Sequence, residues 1–439
     1  MRNTINETGN FRSPKRNSTI KKGKTEWYNY YAGYSEVFVQ DVLEYIQLSP
    51  GSIILDPWNG SGTTTYVAEK NGLNAIGFDI NPVMPIIANS RRVTDVESIL
   101  KFHTKIVKQA KRYRKEYIPI KDPLKMWLSD SNVVTIRRIE RAIQSSITNR
   151  KNHLYAKEIP IYEQLITDPV LAFYYLVLFR LVKELLHSFK ASNPTWIKQP
   201  INENDKVEVD QNTIYQCFST HLEIMLRNII PIPIENKVAK NNICLNMVSS
   251  QHLLLNDSCI DAVITSPPYC TRIDYVVATR LELAVIGIGD DLEFEQLRNQ
   301  MIGTIKVVKE EITENRDWGI TATTFLNNVR NHQSKASKSY YLKQYLQYFN
   351  SIFISMSELN RVLKKNGTIV IVVQDSYYKD VHLDLPQVYI EMGEKLGWKL
   401  KYSESYFQSK TLAGINKSKE KYRRSSSAIE KALVFNKGD

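Results

Sequence analysis

The sequence predicts an α/β protein in which a doubly wound parallel sheet is divided by a mainly helical insertion. Three observations carry this. An apolar strand, a glycine-rich loop, a helix and a second strand follow one another between Ser52 and Phe78, the unit that opens such a sheet. Unbroken apolar runs recur at Ala262 to Thr265 and Thr368 to Val373, as expected of parallel strands buried on both faces. Between the two blocks, residues 98–251 carry helical segments with Lys and Arg runs.

In chain order, residues 1–25 are rich in Asn, Lys, Arg, Ser and Thr and read as a disordered basic arm. Residues 26–97 form the first half of the sheet domain. A helix is expected from Glu36 to Gln47, a strand from Ser52 to Leu55, a helix from Thr63 to Asn71 closed by Gly72, and a strand from Asn74 to Phe78. In the insertion, Lys108 to Lys115 and Arg137 to Arg141 are basic runs, and Val170 to Val182, interrupted by Arg180, reads as a buried helix too short to span a bilayer. Residues 252–439 resume the sheet. Asp290 to Ser339 reads as irregular with helical pieces, and Tyr340 to Leu363 as a long amphipathic helix. Leu385 to Leu396 reads as a helix, and Lys399 to Tyr406 and Ala432 to Phe435 as closing strands.

A formal net charge of +12 and a pI near 9.2 suit a polyanionic partner, nucleic acid first, although solubility alone would also explain them. Cys217, Cys244, Cys259 and Cys270 form no C-x-x-C pair, which fits a reducing cytoplasm better than a disulfide framework. The polar N-terminal segment has no apolar stretch of a secretory signal. The seven histidines show no ligand spacing, so no metal is expected.

Asp56-Pro57-Trp58-Asn59-Gly60-Ser61-Gly62-Thr63-Thr64 joins the first strand to a helix. Its glycines allow a tight turn and close approach to a ligand. The helix start presents free N–H groups that suit a carboxylate or phosphate. No Gly-Lys-Ser/Thr follows, so this is not a triphosphate loop. Asp79, at the end of the next strand, stands where an acid holds a ribose diol in nucleoside-binding sheets; alone it would equally be a helix cap. Further on, Ser266-Pro267-Pro268-Tyr269 follows the buried strand Ala262 to Thr265. Two prolines fix an extended loop. Ser266 Oγ and the Pro267 carbonyl can accept hydrogen bonds while Tyr269 supplies an aromatic face, a combination suited to a planar base bearing an amino group. An ordinary Pro-Pro turn is the alternative.

These two motifs, in this order, resemble the amino-group DNA methyltransferases of bacterial restriction–modification and phage-defence systems. The resemblance covers about residues 27–92 and 256–437. It implies a Rossmann-like methyltransferase sheet, S-adenosyl-L-methionine as cofactor, double-stranded DNA as substrate, and a cognate restriction endonuclease or defence-system subunit as a further partner. By the same resemblance, Asp56, Pro57, Trp58, Gly60, Ser61 and Gly62 belong to the methionine end of the cofactor site. Thr63 and Thr64 start the helix behind it, Asp79 holds the ribose and Ile80 packs on the adenine. Tyr30 to Ser35 is similar to the family's N-terminal cofactor segment, and Asn256 to Asp261 to the lead-in of the catalytic strand. Many relatives carry a Gly-Asp pair that contacts the cofactor adenine; the matching place here is Leu245-Asn246. The catalytic set is Ser266, Pro267, Pro268 and Tyr269.

Serine at the first tetrad position resembles the cytosine-N4 subgroup, with adenine N6 as the alternative. Guanine in tRNA and a non-catalytic DNA-binding subunit are more distant readings. The insertion is the candidate target-recognition region, with Asp290 to Ser339 as a second. Within the insertion, Ser192-Asn193-Pro194-Thr195-Trp196 either reaches bases or is a helix-end turn with a packed Trp196. Asp274 and Tyr275 either line the pocket or cap a helix.

Overall fold

The computed structural model describes residues 11–15, 23–30, 33–114, 121–191, 193, 196–229, 242–270, 273–289, 292–307, 311–408 and 428–438. Helix α1 (Glu36–Ile46) starts at Ser35, whose Oγ accepts from the Phe38 N–H, and ends at Gln47 in the left-handed region. Then come β1 (Ile53–Asp56), α2 (Thr63–Lys70), β2 (Asn74–Phe78) and α3 (Val83–Ser90). A helical body follows: α4 (Val96–Arg112), α5 (Asp130–Ile147), α6 (Ile159–Thr167), α7 (Pro169–Leu185) and α8 (Gln211–Leu226). The chain returns through β3 (Ile243–Asn246) and β4 (Ile260–Thr265) to α9 (Tyr275–Ala278), α10 (Arg280–Ile286), α11 (Leu292–Gln300), α12 (Gly319–Asn331) and α13 (Leu342–Val362). It closes with β5 (Leu363–Gln374), the hairpin β6 (Ser376–Tyr378) and β7 (Val381–Leu383), α14 (Leu385–Lys395), β8 (Trp398–Gln408) and β9 (Ala428–Lys437).

The seven-stranded sheet has the order β3-β2-β1-β4-β5-β9-β8. Neighbours from β3 to β5 pair in parallel; β9 runs antiparallel between β5 and β8. Side chains of β5 alternate between two cores. Ile369, Ile371 and Val373 pack with α12 to α14, and Val370 and Val372 with α1 and α2, the two-faced burial that its unbroken apolar run predicts. From β1 the chain winds outward to β2 and β3, then returns to place β4 on the other side of β1. The strand order reverses there, and a crevice opens at the carboxyl ends of the two strands.

The helical body has its own core around α7, where Leu171 to Leu178 are fully buried. Among the described residues no single helix is long and apolar enough to cross a membrane. Three expectations need correction. Residues 243–246 fall in the range read as insertion but form a sheet strand beside β2; a strand of only four residues, one of them Asn246, gives little apolar signal. Residues 11–15, read as part of a disordered arm, lie against the body. Phe11 is buried edge-on to Phe38, Tyr45 and Tyr402, and the Arg12 guanidinium pairs with Asp41. The remainder of that arm before Gly23 lies outside the described residues. Finally, the run Arg137 to Arg141 is not a continuous basic face. Arg137 is buried between Asp122 and Glu140 at 2.9 and 2.6 Å, and donates to the Val285 and Ala284 carbonyls that end α10. A charge so buried needs such partners, and here they fasten the helical body to the second half of the sheet domain. By contrast Lys108, Lys111, Arg112 and Arg114 at the end of α4 are exposed.

Candidate active site

The two motifs, about two hundred residues apart in sequence, meet because β1 and β4 are neighbours, with Ile54 opposite Ala262 and Leu55 opposite Val263. Asp56 ends β1 and Thr265 ends β4, and the Thr265 hydroxyl donates to the Asp56 carboxylate at 2.6 Å. The same carboxylate accepts from Thr64 Oγ1 at 2.6 Å, Tyr34 Oη at 2.9 Å and the Trp58 N–H at 3.1 Å. Burial pushes the Asp56 carboxyl up, and the hydroxyls of Thr265, Thr64 and Tyr34 draw it back down. Asp56 is therefore the knot that ties both loops together. It is 1% exposed, directly before Pro57 and Trp58, which line the cleft. Gly62, six residues on, also serves packing. It caps α2 with φ +82°, and a Cβ there would stand 2.5 Å from the Ala88 Cβ, so it lets α2 press on α3.

Pro57, Trp58, Asp79, Ile80 and the whole tetrad Ser266-Pro267-Pro268-Tyr269 line one cleft at the switch point. Gly60, Ser61 and Thr63 line a smaller recess that shares Tyr30, Trp58 and Ser266 with it. Gly60 has φ +49°, and its N–H donates to Asp79 Oδ2 at 3.1 Å. The other Asp79 oxygen accepts from the Asn81 N–H at 2.9 Å. Burial pushes the Asp79 carboxyl up to about 7, against the pull of those two N–H groups and with a small further push from Asp56. The loop is backed by Arg91, buried, which donates to the Ser61 carbonyl at 3.0 Å and pairs with Glu36 at 2.9 Å.

On the other wall, Ser266 Oγ donates to the Val372 carbonyl of β5 at 3.2 Å. Its single proton is thereby used on the sheet, and its lone pairs remain as acceptors toward the cleft. Two tyrosines outside the motif hold the tetrad's backbone. Tyr348 Oη donates to the Pro268 carbonyl at 3.0 Å, and the Tyr269 N–H donates to Tyr275 Oη at 3.0 Å. Asp274 caps α9 through the Val277 N–H and pairs with Arg298 at 2.8 Å, while Tyr275 lines the cleft. The two open readings for this dipeptide thus divide between its members.

The N-terminal segment contributes Tyr30 and Gly33 to the cleft and its recess, and Tyr34 to the Asp56 knot; Tyr31 and Ala32 lie outside the described residues. At Leu245-Asn246 the Asn246 side chain accepts from its neighbour Met247 N–H, and the cleft wall there is supplied by Val248, Ser249 and Ser250. Sequence reasoning did not find Ser249, Ser250, Tyr348, Thr265 or Arg91. None belongs to a spaced motif, although Thr265 directly precedes the tetrad. Among the described residues no group of three His, Cys, Asp or Glu side chains is placed to hold a metal ion.

Comparison with known proteins agrees with this architecture. The chain is 24% identical over 415 residues to the Type II methyltransferase M.BsoBI of Geobacillus stearothermophilus, covering 85% of this chain and 78% of that protein. It is 20% identical over 410 residues to the Type II methyltransferase M.AvaI of Nostoc sp., covering 86% and 79%. With M.MvaI of Kocuria varians, also a Type II methyltransferase, it shares 22% over 361 residues, covering 78% and 74%. Residues 17–90 and 260–439 match the DNA methylase family, which leaves out the helices α4 to α8 and takes in the cleft residues Trp58, Asp79 and Ser266 to Tyr269. With more than half its length matched and the two loops meeting at one switch point, the chain belongs to the DNA methylase family.

Proposed function

We propose that the protein transfers a methyl group from S-adenosyl-L-methionine to an exocyclic amino group of a base in double-stranded DNA, N4 of cytosine in preference to N6 of adenine. The observation that carries this reading is that one cleft gathers Asp79, Ser266 and Tyr269 and runs beside the recess lined by Gly60 and Ser266. Together they suit the cofactor chemically. Asp79 offers carboxylate oxygens to a ribose diol, Ile80 and Met84 offer apolar surface to an adenine, and Gly60, Ser61 and Thr63 bound the recess for the amino-acid end. When bound, the cofactor supplies an electrophilic sulfonium methyl group.

The chain's own work is positional. An aromatic amine is a weak nucleophile because its lone pair is delocalised into the ring. Ser266 Oγ and the Pro267 carbonyl would accept its hydrogens and favour a more pyramidal nitrogen. Holding the reactants in line then supplies much of the rate. A base buried in a duplex has to leave the stack to reach this cleft, and Tyr269 is the face on which it would rest. The exposed Lys108, Lys111, Arg112 and Arg114 suit the phosphate backbone. Serine in the first tetrad position supports cytosine. A cognate endonuclease is the partner with which such an enzyme would be paired.

The test is to treat duplex DNA with the protein and cofactor, digest it to nucleosides and analyse them by mass spectrometry. N4-methylcytosine is expected. N6-methyladenine would replace the base and keep the chemistry. C5-methylcytosine would overturn the chemistry, which then requires a thiolate nucleophile.

A pH dependence follows from Asp79. Ribose hydroxyls donate to the ionised carboxylate, so cofactor binding selects the deprotonated form. With the carboxyl pushed up to about 7, affinity should be full above that pH and weaken below it, by about tenfold per pH unit at the acid end. Binding near neutrality should release a proton, measurable by calorimetry in buffers of different ionisation enthalpy. Asp79→Asn should bind more weakly and lose the proton release; an unchanged release would place the titrating group elsewhere.

A further inference from the structure

A second, larger cavity adjoins the catalytic cleft. Residues close together in the chain line the two: Tyr30 lines the cleft and Asn29 the cavity, and Tyr275 lines the cleft and Val277 the cavity. The cavity has a volume of about 1340 Å³ counting its open mouth, and lies between residues 26–29, the second half of α7, Trp196, α8 and α10. Nothing in the proposed methyl transfer uses it.

Its lining is unusual in its unmet hydrogen bonds. Glu282 is 1% exposed; its Oε1 accepts from Tyr28 Oη at 2.8 Å and meets the Lys183 ammonium. Its Oε2 is buried with no hydrogen-bond partner. Both ring nitrogens of His221 are likewise buried and unpartnered. Buried polar groups are rarely left so, and these atoms come within reach of a ligand in the cavity once the side chains covering them shift. Burial also favours the neutral imidazole of His221, which offers one donor and one acceptor. Trp196, which the turn reading expected to be packed, is 48% exposed and presents its ring at the cavity. Lys190 and Arg180 lie on the same wall, with Glu184 as an additional acid.

A carboxylate oxygen seeking a donor, a neutral imidazole seeking one donor and one acceptor, an aromatic plane and nearby cations describe one kind of ligand. It is a planar heterocycle with an exocyclic amino group, attached to a phosphate. We propose that this cavity is a second nucleobase site, which takes an amino-bearing base from the DNA strand that delivers its target to the adjoining cleft. The proposal rests on the DNA-methylating reading. Carboxylates accept hydrogen bonds from base amino groups in DNA recognition, and an exposed Trp is a stacking platform of the kind that holds unstacked bases.

The experiment measures methyl transfer to plasmid DNA, cofactor affinity and tryptophan fluorescence with the full chain, Trp196→Ala, Trp196→Phe and Glu282→Gln. Trp196→Ala should raise the KM for plasmid DNA about tenfold and leave cofactor affinity unaltered, with Trp196→Phe restoring most of the loss. Oligo(dC) or oligo(dA) should quench the fluorescence that Trp196→Phe lacks more strongly than oligo(dT), and Glu282→Gln should erase that preference. An unchanged KM in Trp196→Ala, or equal quenching by oligo(dT), overturns the proposal. Quenching by free dCMP equal to that by oligo(dC) overturns the assignment to a strand. If the wild-type chain methylates no DNA, the proposed activity fails first, and base-dependent quenching of Trp196 still decides whether the cavity binds a nucleobase.

Discussion

Tyr269→Ala is expected to abolish most methyl transfer while the protein remains folded and binds cofactor. The ring of Tyr269 lines the cleft and packs partly on the helical core, whereas its backbone N–H is held by Tyr275 Oη. Truncation therefore removes the aromatic face without releasing the loop. A base stacked on an aromatic side chain loses about 1–3 kcal/mol when that ring is removed, which corresponds to about a fivefold to 150-fold fall in turnover at fixed DNA concentration. Ser266→Ala should be milder in binding and selective in rate. It removes one of two acceptors for the amine and the hydroxyl's own bond to the Val372 carbonyl, while the Pro267 carbonyl stays. Single-turnover transfer of labelled methyl groups checks both. If Tyr269→Phe and Tyr269→Ala were equally impaired, the phenolic oxygen rather than the ring would be the working group.

The second large effect concerns Gly60. Gly60→Val should cost most of the cofactor affinity and lower the melting temperature to a lesser degree, whereas Gly62→Ala should act chiefly on the melting temperature. The two glycines stand two residues apart and both have positive φ, yet they meet different neighbours. A Cβ on Gly60 would lie 2.8 Å from a ring carbon of Tyr30, at the mouth of the recess. A β-branched residue is also poorly tolerated in the left-handed region. The loop would have to rebuild, and with it the Gly60 N–H bond that orients Asp79. A Cβ on Gly62 would instead lie 2.5 Å from the Ala88 Cβ, inside the contact between α2 and α3. Overpacking of a helix contact costs about 1–3 kcal/mol of stability. Calorimetric titration beside thermal melting separates the two. Equal loss of affinity and of stability in both variants would show that the loop has no division of labour.

What the sequence by itself determined is the set of features written in contiguous residues. Strands β4 and β5 were legible as unbroken apolar runs, the mark of parallel strands buried on both faces, and β1 and β2 from the order strand, glycine-rich loop, helix, strand. The loop Asp56 to Thr64, the acid Asp79 and the tetrad Ser266 to Tyr269 were legible because each is a short segment whose backbone chemistry permits few alternatives. Their arrival in a common cleft was implied by order alone, strand ends on one edge of a sheet. The tertiary structure decided what depends on partners remote in sequence. It made Asp56 a buried knot with Tyr34, Thr64 and Thr265, because β4 returns beside β1 and brings a hydroxyl to its carboxylate. It assigned Gly62 to helix packing, buried Arg137 among acids, and docked Phe11 on three rings. It joined short β3 to the sheet and set Tyr348 and Tyr275 behind the tetrad. In each case one side chain's own identity left several environments open. The choice fell to whichever distant group could satisfy its charge, hydrogen bond or apolar surface once the chain had reversed at the switch point between β1 and β4.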